Sequence, residues 1–185
     1  MRRGVVNWRR GKAGWFNHSA EHRLARQGIR VRSHRSGTLA RIGDIPITAK
    51  PLPKGMVYPV APDEVKNILS TLPRDDLKGL KSIEFVPPKD KQQEGAWAQW
   101  IRSRNAILIF GQKASKDGKI SGQDARRVRD HMKNYVVKHE VGHQYAVRKL
   151  GTDKRLSLAE ARADGYAFGM GIEEKNVKQF EQYHK

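Results

Sequence analysis

The chain has no cysteine among its 185 residues, which removes disulfides, thiolate metal sites and cysteine nucleophiles together. It also has no apolar run approaching the roughly 20 residues a helix needs to cross a bilayer. The opening MRRGVVNWRRGK is positive, but no apolar stretch follows it. No secretory leader is expected, and the expectation is an intracellular, cytoplasmic protein. Acids are scarce: 19 Asp and Glu stand against 37 Lys and Arg, a formal net charge of +18. A surplus of that size suggests an acidic partner, nucleic acid first.

The surplus is concentrated at one end. Residues 1–41 carry 11 Lys and Arg and a single acid, Glu21, whereas the remaining residues carry 26 and 18. This divides the chain into a basic N-terminal arm over residues 1–48, a proline-rich linker over 49–61 and a folded unit over 62–185. The linker is marked by ITAKPLPKGMVYPVAP, where four prolines and a glycine disfavour regular structure. In the arm, Trp8, Trp15 and Phe16 interleave with Arg9, Arg10, Arg23, Arg26 and Arg30. Arginines neutralise phosphates and aromatic rings stack on bases, so residues 1–41 are a candidate nucleic-acid contact. The alternative is a solvated basic extension.

Beyond the arm, PDEVKNILSTLP places Val65, Ile68, Leu69 and Leu72 on one helical face and stops at Pro73. SIEFVPP reads as a short strand. AWAQWI and NAILIF read as two antiparallel strands joined at residues 103–105, and KASKDGKISG as a polar loop. A long helix is expected over about residues 123–150, with Gly151 as its C-terminal stop, and another from Ser157. Helix, strands, long helix, helix is an α+β order.

The chemistry sits on the long helix, in KHEVGHQY. Val128, Met132, Tyr135, His139, Gly142, His143, Ala146 and Leu150 share one side at helical spacing, so both histidines point inward. Residues four apart have Cβ atoms about 5–6 Å apart, close enough for two imidazoles to hold one ion. Zinc suits them, with Zn–N bonds of roughly 2.0–2.1 Å. Glu140 lies about 100° round the helix from His139, within reach of a water on that ion. The competing reading is two core histidines and a surface glutamate.

A catalytic zinc has three protein ligands and an open position. A third histidine six residues after His143 is absent, since Lys149 occupies that place. Downstream, SLAEARADGYA offers Glu160 as ligand, with Asp164 one turn later to hydrogen-bond a ligating histidine. Asp153 is a second candidate. Ser157 and Glu160 also form a capping-box pattern, which would give Glu160 a purely structural role. Alanines 159, 161 and 163 permit close approach of the two helices.

VVKHEVGHQY followed by AEARAD resembles the gluzincin branch of the zincin metallopeptidases, over about residues 62–170. The resemblance implies a zincin-like single domain: a small mixed or antiparallel sheet, a long active-site helix and a second ligand-bearing helix. It implies Zn2+ held by His139, His143 and Glu160, with Glu140 as general base in hydrolysis of peptide bonds by a zinc-bound water, and Asp164 orienting His139. It also implies that Ala106, Ile107, Leu108, Ile109 and Phe110 form the edge strand that binds an extended substrate. Only 25 residues follow Glu160, so the chain is most similar to the single-domain minigluzincins. Tyr145 and Tyr166 are candidates for stabilising the oxyanion.

Two further alternatives follow from the same residues. One is a protease brought to nucleic acid by its arm. The other is a basic nucleic-acid-binding or structural protein whose zinc serves only stability. HSAEH, His18 to His22, matches the inverted zinc motif, but it lies in an arginine-rich segment without an apolar helix. Surface histidines behind a Ser19 cap are expected there.

Overall fold

A computed structural model describes residues 38–114, 120 and 125–184. In chain order these form β1 (Thr38–Ile42), β2 (Ile45–Ala49), β3 (Met56–Val57), α1 (Pro62–Ser70), β4 (Ser82–Val86), α2 (Lys91–Gly95), β5 (Ala98–Ile101), β6 (Ala106–Phe110) and β7 (Gln112–Lys113). Then follow α3 (Ala125–His131), a π-helical turn (Met132–Val136), α4 (Val137–Leu150), α5 (Leu156–Ala167), α6 (Glu174–Glu181) and a 3-10 turn (Gln182–His184). The fold is α+β, as the order of elements implies. Residues 1–37, including HSAEH, lie outside the described residues, as does most of the KASKDGKISG loop.

The sheet is mixed, with strand order β1-β2-β4-β6-β5. β2, β4 and β6 run parallel, and each edge strand is antiparallel to its neighbour. β6 is therefore internal, and all five of its residues are buried. That corrects the expectation of an edge strand at residues 106–110. An unbroken apolar run such as AILIF is what a strand covered on both faces requires. The edge strand beside β6 is β5, which mixes buried and exposed positions.

One face of the sheet, with Ile47, Ile83, Phe85, Ile107 and Ile109, packs on Val65 and Leu69 of α1 and on Met132, Val137 and Val141 of the long helix. Val86, Leu108 and Phe110 form a smaller cluster on the other face.

Residues 38–48, which charge assigns to the arm, form the β1–β2 hairpin of this sheet, so the arm ends no later than residue 37. Pro46 concealed the strand. It pairs with Arg41 of β1, while pairing to β4 begins only at Ile47, so the missing N–H interrupts no ladder on that side. The end of the stretch 49–61 packs on the sheet, while residues 53–55 are exposed. Val60 and Ala61 are buried, and Tyr58 meets Phe85 edge-on at 5.1 Å while donating to the Lys50 carbonyl. Burial pushes the Tyr58 hydroxyl pKa up.

The long helix departs from uniform spacing at its π turn, which holds about one residue more than an α turn and shifts the phase by about 100°. The single inward stripe therefore splits. Val137 and Val141 face the sheet, and Gly142 faces α5. Leu150, expected on the buried side, is 52% exposed. At Gly142 the two helices touch: a Cβ there would stand 2.9 Å from both the Cα and the carbonyl oxygen of Ala163. α6 packs behind α5 through Val177, Leu158 and Ala161. Among the described residues no helix is long and apolar enough to cross a membrane.

Candidate metal centre

The close approach at Gly142 brings α5 against the histidine-bearing side of α4. Glu160, one turn before Ala163, then reaches both imidazoles. Its Oε2 lies 3.2 Å from His139 Nε2 and 3.5 Å from His143 Nε2. The imidazole centroids are 4.7 Å apart at 89°. One atom from each of the three side chains falls within a 4.8 Å span. Ligand atoms about 2.0–2.2 Å from a tetrahedral zinc lie about 3.3–3.5 Å from one another. The two N···O separations match that spacing, and two nitrogens with one carboxylate oxygen are a donor set zinc accepts.

Neither alternative for Glu160 survives. α5 begins at Leu156 with Arg155 as N-cap and no side-chain cap bond. Ser157 Oγ instead bonds Glu181 Oε1 at 3.2 Å, so no capping box forms. Asp153 is ion-paired with Arg162 Nε at 3.0 Å.

Asp164 sits behind His139. Its Oδ1 lies 2.8 Å from His139 Nδ1 and accepts from the Tyr135 hydroxyl at 2.5 Å. Its Oδ2 lies 2.8 Å from His184 Nε2. An ionised carboxylate only accepts, so Nδ1 of His139 carries a proton and Nε2 is the atom left for a ligand. Burial opposes charge on Asp164, yet the bonds from His139, Tyr135 and His184 outweigh it and hold its pKa near about 2. Burial and the bond to Asp164 push the Tyr135 pKa up.

The charges around Glu160 make the same point from another direction. The His139 and His143 bonds hold its carboxyl well below the usual range. Burial would depress His139, but Asp164 and Glu160 raise it to about 9. Without a metal, a proton on Nε2 bridges toward Glu160. His139, His143 and Glu160 would hold a divalent cation in place of that proton, which is how metal binding releases protons.

Glu140 is 7% exposed and points between the histidines and the sheet edge. Its Oε2 accepts from the backbone N–H of Trp100 in β5 at 2.6 Å. Desolvation raises its pKa despite the nearby histidines. Phe110 donates to the Trp97 carbonyl, and bonding alternates along an antiparallel pair. The backbone groups of Ala98 and Trp100 therefore point away from β6. They face a cleft of about 450 Å3 onto which His139, Glu140, His143 and Glu160 open.

Three protein ligands among the described residues, an open side and a buried carboxylate beside them are the features of a catalytic rather than a closed structural zinc site. The cluster carries an HExxH-plus-Glu signature of zincin type, and its geometry is consistent with a single zinc in a gluzincin-type peptidase active site. The motif implies a peptide or protein substrate.

Sequence reasoning missed three partners: Trp100, whose contribution is a backbone N–H; His184, 20 residues from Asp164; and Tyr135, placed on the helix face without a role. Only Tyr135 had a signal, one turn before His139. Tyr166 is committed elsewhere, donating to Asp76 Oδ2 at 2.7 Å and meeting the Tyr145 ring at 5.2 Å with a 40° tilt. Burial and Asp76 push its pKa up. Neither tyrosine lines the cleft.

No protein-family model, curated protein or solved structure matches this chain.

Proposed function

We propose that this protein is a zinc-dependent metallopeptidase in which His139, His143 and Glu160 hold the ion and Glu140 is the general base. The observation that carries the reading is the convergence of three ligand atoms within 4.8 Å. Bound zinc supplies Lewis acidity, polarising a carbonyl and making a water easier to deprotonate.

The chain's own groups do the rest. The outward N–H and C=O of Ala98 and the C=O of Trp100 offer an extended peptide a strand to pair with, holding the scissile bond over the ligands. The Trp100 N–H fixes Oε2 of Glu140, leaving Oε1 to take a proton from the attacking water and return it to the leaving amine. A carboxylate whose pKa burial has raised is a better acceptor near neutral pH. Asp164 keeps His139 in the tautomer that presents Nε2.

The proposal keeps residues 1–37 as a basic segment. The arginines and tryptophans there support contact with nucleic acid, which would bring the peptidase to bound proteins.

The test is Glu140→Gln in zinc-loaded protein. Glutamine still accepts from Trp100 N–H but takes no proton. Hydrolysis of unfolded protein should fall by about three orders of magnitude or more while zinc content stays at one per chain. A variant that cleaves at the wild-type rate refutes the mechanism.

A further inference from the structure

The cleft is not symmetric about the metal ligands. On the α2 side it is lined by Asp90, Gln92, Gln93 and Gln99, and among the described residues no lysine or arginine lines it there. On the far side of His143 lies a second hollow of about 280 Å3, bounded by Trp100 and Arg102 of the β5 end and by the start of α5. Its floor is apolar, with Ala146, Val147 and Ala159, and Leu156 stands at its rim. The two alanines leave the room, and larger side chains would fill it.

Leu156 is 76% exposed on this rim, so no packing within the described chain accounts for it. Arg102 and Lys154 stand at the same hollow, both exposed, without a carboxylate partner among the described residues. Asp153, the one acid lining it among the described residues, is paired with Arg162. An apolar floor with two uncompensated cations fits a group that is itself apolar and next to a negative charge.

We propose that this hollow is a substrate subsite that takes an apolar side chain adjacent to an acidic residue, with Arg102 and Lys154 holding the carboxylate. The inference rests on the peptidase reading, because Trp100 and His143 line both hollows and one extended chain along β5 would enter both. Rim cations act in solvent, so each contributes modestly and the preference should weaken at high salt. Their effect is on selection rather than on the chemistry.

The test uses binding, so that it does not depend on turnover. Full-length, zinc-loaded protein carrying Glu140→Gln is titrated with fluorescent decapeptides blocked at both ends. They hold a Leu-Glu, Leu-Gln or Leu-Lys pair at the centre, and a free-acid version of each separates a side-chain carboxylate from a chain terminus. Leu-Glu should bind about tenfold tighter than Leu-Lys with blocked ends. Adding Arg102→Glu and Lys154→Glu should reverse that order while zinc content is unchanged.

Equal affinities, an order the double reversal leaves intact, or a preference seen only with free C-termini overturns the side-chain subsite. So does a short single-stranded DNA that competes as well as Leu-Glu. If the preference and its reversal appear but the wild-type zinc protein cleaves none of the peptides, the subsite stands and the peptidase reading falls. If it cleaves without preference, the reverse holds.

Discussion

The helix α4 buries two faces, and they are built on opposite principles. Toward the sheet it presents Val137 and Val141, 0% and 1% exposed, whose burial contributes about 1.5–3 kcal/mol each without needing any specific partner. Toward α5 it presents His139 and His143, whose polar atoms are costly to bury unless each is bonded. Those bonds are supplied from another element, by Glu160 and Asp164 of α5, and Tyr135 of the π turn donates in turn to Asp164. Glu140, between the two faces, is held by β5. The sheet face stabilises the fold, and the α5 face concentrates donors at the cost of stability the other must cover.

The sharpest break of this comparison is Glu160→Ala. On the α5 face the loss should appear in metal affinity rather than in folding. It removes a ligand oxygen and leaves two imidazoles, so zinc affinity should fall by more than about 100-fold, read by competition with a chelator. Asp164→Asn keeps the shape but weakens the hold on His139, and should cost about 10–100-fold. If the order is inverted, Asp164 rather than Glu160 is the primary ligand.

Next is the bond that joins the base to the sheet edge. Trp100→Ala and Trp100→Pro both lose the indole and its 3.1 Å bond to Asn105, but only proline also removes the backbone N–H. Because that N–H points away from β6, proline breaks no ladder bond there, and edge strands tolerate it. Relative to the alanine variant, proline should lower kcat by about tenfold or more, with KM and zinc content little changed. Equal kcat in the two variants would mean that the N–H does not position Glu140.

A third change moves the two faces independently. Val141→Ala should cost about 1–3 kcal/mol of unfolding free energy and leave zinc affinity as it was. Gly142→Ala forces a methyl against the Ala163 backbone, so α5 must retreat. That should cost a similar amount, but here zinc affinity should fall as well, because Glu160 rides on α5. Denaturant titration with and without zinc separates the two: the zinc-dependent gain in stability persists in the first variant and shrinks in the second.

The same division decides what could be read in the sequence. The ligands were legible because the requirement is local: two histidines four apart on a helix, and a helix with Glu160 after a short turn. The strands at residues 82–86, 98–101 and 106–110 were legible from apolar runs. Which of them forms the edge was not, since strand order is a property of the whole sheet. AILIF nevertheless carried a usable clue, because an exposed edge would not be apolar at every position. The β1–β2 hairpin was hidden by its charge and by Pro46. The π turn left no periodic trace, and it is what undid the single stripe from Val128 to Leu150.

The smallest effect should come from His184, at the far end of this network. It lies in the 3-10 turn after α6, and its ring is partly open to solvent while Nε2 bonds Asp164 Oδ2 at 2.8 Å. Asp164 keeps its other oxygen on Tyr135 and His139 whether or not His184 is present. His184→Ala should therefore lower zinc affinity only about two- to fivefold, below the 10–100-fold expected of a direct partner of the ligand, and change stability by less than about 1 kcal/mol. Tyr135→Phe, which strips a bond from the oxygen that His139 uses, should cost more than His184→Ala. A loss at His184 equal to that of Asp164→Asn would mean that the C-terminal turn, and not α5 alone, orients the carboxylate. The α5 face of α4 would then depend on the chain end as much as on the helix packed against it.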